Sequence, residues 1–404
     1  MLKRIYANYK DIVLLGLLGV MIGLTVGAID ALFGRVLLTI TAFREQNVYK
    51  LLPFLPIIGV FITYVYTRYG KDIIKGMNLI FSAGFNKEET IPKRLIPFIM
   101  VSTWLTHLFG GSAGREGVAV QIGGTFAHNL GKHMKLEDHH KILVVTGMAA
   151  GFSGLFQTPL AAVFFAMEVM VAGALEYSAL FPCVIAAFTA SYTSHYLGLE
   201  KFSVNLSDKT GPLEVSFSFL IKVIMIGVLF GVTGGLFAHT LAKVKAFLNK
   251  LFKNPILKIF IIGCLLSISL MFIHHGRYSG LGTNLIGAVF GGDTIYPYDW
   301  VLKFIFTILT LSAGFQGGEV TPLFAIGSGL GAFLGSLLGL PTALAAALGY
   351  TAVFGSATNT MLAPIFIGVE VFGFSYLPYF FVVTAFAYVF NGNKTIYAAQ
   401  KSMY

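Results

Sequence analysis

Charge is what this chain has least of. Only 11% of its 404 residues are charged, against roughly 25% in an ordinary soluble domain, which excludes a water-soluble globular protein of this length. Cysteine is almost absent. Cys183 and Cys264 are the two present, and both fall in apolar runs. No disulfide framework or metal cluster is implied, and both read as packed thiols. A continuous basic face is missing too. The net charge is +10, but the cations sit at the ends and in short connections, which argues against a nucleic-acid surface. Nor is there a small-residue cleavage site after the basic N-terminus, so the apolar stretch from Ile12 to about Ala42 is expected to remain as a membrane helix.

What is present is lipid-compatible. Hydrophobic residues make up 56% of the chain and 38 residues are phenylalanine, most of them read as lipid-facing or packing residues. Apolar runs follow one another from Ile12 to Phe390, most long enough to cross or enter a bilayer. The chain reads as an all-α polytopic membrane protein. Lys3, Arg4 and Lys10 precede the first run. Lys243, Lys245, Lys250, Lys253 and Lys258 read as a cluster in the longest central connection, and Lys394 and Lys401 lie near the end. The positive-inside rule puts these segments, and with them both termini, on the cytoplasmic side.

Within this apolar background one stretch stands apart, Gly110-Gly-Ser-Ala-Gly-Arg-Glu-Gly-Val118. A carboxylate at membrane depth is costly and marks an ion path, a proton relay or a gate. Glycines around Glu116 let the backbone turn and expose N–H groups where a helix begins, which makes an anion site.

The chain also repeats itself. Gly147 to Val169 (GMAAGFSGLFQTPLAAVFFAMEV) matches Gly349 to Val371 (GYTAVFGSATNTMLAPIFIGVEV) at an offset of 202. Gly147, Phe152, Thr158, Leu160, Glu168 and Val169 meet Gly349, Phe354, Thr360, Leu362, Glu370 and Val371. Gly114-Arg-Glu-Gly has a counterpart in Gly317-Gly-Glu-Val, so each half carries a glycine-rich helix start with a glutamate. Duplicated halves with Gly/Pro-interrupted segments at matching positions are the mark of transporters, whose substrate sits at the repeat interface against half-helix N-termini. The division is expected at the polar stretch Asn205 to Gly211, giving halves 1–204 and 205–404. Breaks around Gly154, Pro159, Pro322 and Pro364 predict short or re-entrant helices buried in protein or lining a wet cavity.

GREG at 114–117 followed by VQIGG at 120–124, PLAAVFFAMEVM at 159–170, GGEVTP at 317–322 and GNKTIY at 392–397 together resemble the CLC family of anion channels and proton-coupled antiporters. The resemblance runs from about residue 12 to 400. It implies an inverted repeat of tilted and partial helices, an anion path within each subunit, a homodimer, and no enzyme chemistry, cofactor or metal. The chain ends soon after Tyr397, so the nucleotide-binding regulatory domains of eukaryotic members are not expected, and the resemblance points to a prokaryotic plasma membrane. The departures are specific. Val118 stands where most members have proline. Gly76-Met77-Asn78 replaces a loop whose serine coordinates chloride, and Glu319-Val320-Thr321 replaces GxFxP. These changes resemble the fluoride-transporting clade, which exports fluoride in exchange for protons; a chloride/proton antiporter or passive chloride channel is the alternative.

The resemblance implies roles residue by residue. Glu116 matches the gating glutamate, which occupies an anion position when ionised and carries a proton when it leaves; a structural pairing with Arg115 is the bland alternative. Fluoride is small and strongly hydrated, so dehydrating it demands good donors at short range. Thr321 and Tyr397 offer hydroxyls and Asn78 an amide. Gly114, Arg115, Gly117, Val118 and Val320 mark the helix starts with their N–H groups, and Met77 removes a donor that chloride-type members use. Glu319 is expected to hold a second proton or shape the inner anion site, with capping of its own helix start as the alternative. The usual inner proton glutamate is replaced by Val169, and Glu168 and Glu370 are read as sharing a packing or interface role.

The remaining polar features are weaker. KHMKLEDHHK at 132–141 holds three histidines without a ligand spacing and reads as a solvated connection. Asp30 and Arg35 are expected to pair or to face a polar interior. Phe81 is not counted among the path residues. A membrane-embedded hydrolase using Glu116 with His107 or His128 lacks a nucleophile and a third partner.

Overall fold

The computed structural model describes residues 2–86, 89–134, 136, 139–211 and 216–403. Its first half runs α1 (Leu2–Gln46), α2 (Val48–Leu51), α3 (Leu55–Tyr69), α4 (Met77–Phe85) and α5 (Leu95–Leu108). It continues through α6 (Glu116–His133), α7 (His140–Phe156), α8 (Pro159–Glu168) and α9 (Leu180–Tyr196). The second half runs α10 (Ser207–Thr210), α11 (Phe217–Leu251), α12 (Pro255–Phe272), α13 (Thr283–Gly291) and α14 (Asp299–Ala313). Then come α15 (Val320–Leu338), α16 (Thr342–Thr358), α17 (Leu362–Phe372) and α18 (Leu377–Val389). Two short strands, β1 (Val171–Ala172) and β2 (Lys401–Ser402), pair in parallel. They tie the end of the chain to the segment that follows α8.

Among the described residues five helical stretches are long and apolar enough to cross a bilayer, including Lys10–Gln46 and Phe217–Leu251, while α5, α7, α8, α16 and α17 are shorter apolar helices. At 45 residues, α1 is about 67 Å long, twice the roughly 30 Å of hydrocarbon, so it extends far beyond it or tilts strongly. The short helices are sealed inside. All but the first residues of α7, and nearly all of α15 and α16, are buried, which is where interrupted backbone is tolerated in lipid.

The duplication extends to the backbone. α7 ends at Gln157 (φ 57°) and α16 at Asn359 (φ 54°), two non-glycine residues in the left-handed region at matching positions. Such a residue stops a helix and frees the chain to restart in a new direction. In the first half α6 and α7 cross so closely that a Cβ on Gly123 would lie 2.0 Å from the Gly147 carbonyl oxygen. The second half repeats this crossing with α15 and α16, where a Cβ on Gly327 would lie 2.0 Å from the Gly349 oxygen. Lipid supplies no hydrophobic drive between helices, so close backbone approach at small residues carries the association.

Three sequence expectations change. Lys243, Lys245 and Lys250 lie on the last turns of α11, because lysine among alanine and leucine extends a helix readily. Lys253 alone falls between helices, and Lys258 is a mostly buried residue of α12 donating to Asn249 Oδ1 at 2.8 Å. Asp30 and Arg35 do not pair. Arg35 donates to the Leu197 carbonyl at 3.0 Å, while the Asp30 carboxyl is buried against Gly154 without a hydrogen-bond partner. In the 132–141 segment Lys135, Glu137 and Asp138 lie outside the described residues. His133 ends α6 and His140 opens α7, its Nε2 donating to the Ala83 carbonyl.

Gly123→Val forces a branched side chain into the Gly147 carbonyl. It is expected to cost about 3 kcal/mol or more, read as a lower melting temperature in detergent. Gly287→Ala, where nothing lies within 4 Å of the added Cβ, is expected to leave that temperature unchanged.

Candidate functional site

The two glycine motifs are joined directly. Gly114 N–H donates to the Gly318 oxygen at 2.5 Å and Gly318 N–H returns to the Gly114 oxygen at 2.8 Å, an antiparallel bridge between the halves. A Cβ on Gly114 would lie 2.9 Å from both the Gly318 oxygen and Pro322 Cδ, so only glycine permits the approach. The bridge sets the N-termini of α6 and α15 side by side.

Glu116 opens α6 and is fully buried. Its Oε2 accepts from Thr321 N–H at 3.1 Å, from Thr321 Oγ1 at 2.5 Å and from Arg115 N–H at 3.3 Å. The carboxylate of the first half thus rests on the first turn of α15 from the second half. Orphan N–H groups and the helix dipole favour an anion at that point. Its other oxygen, Oε1, lies 3.5 Å from Arg115 Nε and makes no hydrogen bond. Tyr397 is 4% exposed, its hydroxyl has no partner, and it lies within electrostatic range of both Glu116 and Glu319. Buried polar groups of this kind are normally paired, so the unmet Glu116 oxygen, the Arg115 guanidinium next to it and the unpartnered Tyr397 phenol mark this region as the candidate site.

Glu319 occupies the N-cap position of α15, yet its side chain makes no capping hydrogen bond. Capping of its own helix start is therefore set aside. Its Oε2 would instead be 3.8 Å from a Cβ on Gly117, which brings the two motif glutamates to opposite ends of the same short bridge. Lys245 on α11 lies within electrostatic range of it.

The third helix start belongs to α4. Gly76 (φ 52°) precedes Met77, and a Cβ there would be 3.2 Å from Gln121 Oε1. Gln121 in turn donates to the Gly117 carbonyl at 3.1 Å, so the loop rests on α6 one turn beyond Glu116. The Asn78 backbone N–H donates to the Lys75 oxygen at 3.1 Å. Its side-chain amide makes no hydrogen bond among the described residues, and nothing brings it to Glu116. Two further expectations are corrected. Gly114 cannot offer its N–H, which Gly318 occupies. Val118 packs its side chain with Phe33, Ile99 and Leu155 while its N–H donates to the Arg115 oxygen. Val320 is buried apolar core, leaving its first-turn backbone as its contribution.

Phe81, weighed and set aside in sequence, and two aromatic residues not singled out there lie near these groups. The Phe81 ring lies 5.4 Å from that of Tyr397, and Phe165 lies 6.4 Å from it. Tyr350 lies within electrostatic range of Glu116. Phe81 follows Met77 by one helical turn, and that spacing was the available signal; Tyr350 had none. The histidines do not pair with Glu116. His107 Nε2 faces the Gly114 carbonyl at 3.4 Å, and His128 Nε2 accepts from Ile91 N–H at 3.3 Å.

Glu168 and Glu370 do share a role, and it is reciprocal. Glu168, at the end of α8, accepts the N–H groups of Met361, Leu362 and Ala363 at 3.1, 3.1 and 2.8 Å. Glu370, near the end of α17, accepts those of Leu160 and Ala161 at 3.1 and 2.9 Å. Each carboxylate caps the start of the other's helix, and Phe164 stacks on Phe366 between them at 4.5 Å.

Fold and site together define a polytopic membrane protein in which glycine-flanked helix starts meet around a buried carboxylate. A family model described as voltage gated chloride channel matches residues 58–392. A chloride/fluoride channel protein of Pseudomonas syringae pv. tomato is 35% identical over 388 residues, covering 94% of this chain and 85% of that one. The crystal structure of a CLC-type fluoride/proton antiporter aligns with a TM-score of 0.95 at 52% identity, covering 98% of this chain and 99% of the other. The fold is shared with a slow cyanobacterial chloride/proton antiporter at TM-score 0.81 and 21% identity, over 95% and 96% of the two chains. The chain belongs to the CLC family, the voltage gated chloride channel family of multi-pass membrane proteins.

Glu168→Gln replaces an acceptor-only carboxylate with an amide that turns donors toward three N–H groups. It is expected to cost about 2 kcal/mol, read by thermal unfolding, and Glu370→Gln is expected to cost less because it disturbs two.

Proposed function

We propose that this protein exports fluoride across a prokaryotic plasma membrane in exchange for protons, as a secondary active transporter. The observation that carries this reading is the seat of Glu116, whose carboxylate takes the Thr321 N–H and hydroxyl at the start of α15. An ionised Glu116 and an anion compete for the same donors. On protonation the side chain loses the charge that held it there, and fluoride takes the Thr321 donors. When fluoride leaves, the carboxylate returns and its proton goes to the opposite side. Mutual exclusion at one helix start couples the two fluxes.

Fluoride is the favoured anion because its dehydration cost is met by charge-assisted donors at short range. Thr321 Oγ1 approaches Glu116 Oε2 to 2.5 Å, a separation suited to a small acceptor. The likeness to a structure described as a CLC-type fluoride/proton antiporter supports the same substrate. With Val169 in place of the inner proton glutamate, Glu319 becomes the second proton station, reached past Gly117 rather than along α8. Asn78, Met77, Arg115 and Tyr397 line the remainder of the path. The halves 1–204 and 205–404 form one membrane domain joined at the Gly114–Gly318 bridge, the termini are cytoplasmic, and the protein works as a homodimer in lipid with one path per subunit.

Purified protein in liposomes is expected to release fluoride faster than chloride while moving protons the other way, recorded together with a fluoride electrode and a pH electrode. Fluoride release without proton movement would make it a channel, and chloride release without fluoride preference would overturn the substrate. Glu116→Gln is expected to abolish fluoride-driven proton movement; its persistence would remove Glu116 from the mechanism.

A further inference from the structure

Behind the loop that leads into Glu116 the protein buries cations to which the fluoride reading gives no role. Lys303 on α14 is 0% exposed and Arg44 on α1 is 2% exposed. Among the described residues no carboxylate pairs with Lys303, and the acid beside Arg44 is the half-exposed Glu45 at 3.4 Å. Buried charges without counter-charges are rare in membrane proteins and are functional by default.

The Lys303 amine is fully engaged by polar partners. Its Nζ donates to Ser112 Oγ at 2.9 Å, to the Tyr278 carbonyl at 3.2 Å and to the Gly280 carbonyl at 2.6 Å. The two carbonyls take two of its N–H bonds and Ser112 Oγ, a hydroxyl that can accept or donate, fills the third position. Ser112 Oγ also meets Thr307 Oγ1 at 3.0 Å, and Ser112 N–H donates to Thr310 Oγ1 at 3.2 Å. Arg44 Nη1 donates to the His107 carbonyl at 3.2 Å and presses on Gly280, where a Cβ would come within 2.0 Å of it. Gly280 is laced to the glycine loop, its N–H donating to the Gly111 oxygen at 3.1 Å and its oxygen accepting Ala113 N–H at 3.2 Å. Arg44, Lys303 and Arg115 all lie within electrostatic range of the His107 ring, which faces Gly114.

We propose that Lys303, supported by Arg44, is a positioning residue for the anion site. It fixes the loop Gly110–Gly114 against the second half and, when protonated, sets a positive charge behind the helix starts where the anion binds. The inference rests on the fluoride reading for the identity of the anion alone. Ser112 precedes Glu116 by four residues, which places the two at most about 14 Å apart along the chain. At that range and an effective dielectric near 20, one charge changes anion affinity about tenfold.

Fluoride binding to the purified protein, titrated calorimetrically, and the half-saturating fluoride for efflux from liposomes test this. Lys303→Met is expected to raise both about tenfold with the maximal rate little changed, and Lys303→Arg is expected to restore both. Lys303→Gln, neutral but hydrogen-bonding, reads the charge should Lys303→Met fail to fold, and Arg44→Gln reads it from the other cation. Unchanged fluoride affinity in the folded neutral variants, whatever their melting temperature, would overturn the proposal and leave Lys303 a structural tie. Absence of fluoride binding by the unaltered protein would instead sink the fluoride reading, and the same variants would then be titrated with chloride.

Discussion

Everything in this protein depends on how helix starts buried in a membrane satisfy their N–H groups. An interrupted helix exposes up to four of them, and hydrocarbon offers no water to take them. Here the answer comes from the opposite half of the chain. Glu116 of the first half accepts from the start of α15, Glu168 from the start of α17, and Glu370 of the second half from the start of α8. Three glutamates thus bind the halves together by charge-assisted hydrogen bonds across a pseudo-twofold relation.

The fourth member of that set breaks the pattern. Glu319 is the repeat counterpart of Glu116 and by symmetry would accept from the start of α6. It makes no such capping bond and lies beside Gly117 instead. Glu168 and Glu370 are held by three and two N–H groups in the absence of rival donors, which suits permanent caps. Glu116 is held chiefly by one residue, with its second oxygen unmet, and Glu319 is not held as a cap at all. Near-identical carboxylates differ in how they are used: Glu168 and Glu370 engage both oxygens with backbone N–H groups of the opposite helix, whereas Glu116 gathers its donors on one oxygen and leaves the other unmet.

Close packing makes the arrangement possible. The glycine crossings of α6 with α7 and of α15 with α16 bring backbones into contact, and the Gly114–Gly318 bridge admits no side chain. The two buried cations complete the electrostatics from behind. Lys303 reaches from α14 to the glycine loop of the other half, so the same tie that fixes the loop also biases it toward negative occupants.

Much of this was legible in the residues themselves. Low charge and long apolar runs define the membrane class, because lipid selects on composition. The 202-residue offset exposes the duplication, and glycine-flanked Glu116 and Glu319 mark the paired helix starts, because turn chemistry is local. What the chain could not declare was the partner of each group. That Glu168 and Glu370 exchange caps, that the Gly114 N–H is taken by Gly318, that Val118 faces the Phe33 cluster, and that Lys303 meets Ser112 are contacts across tens to about two hundred residues. Hydrogen bonds and buried charges act over a few ångströms, so only the packed tertiary structure decided which donors each glutamate met.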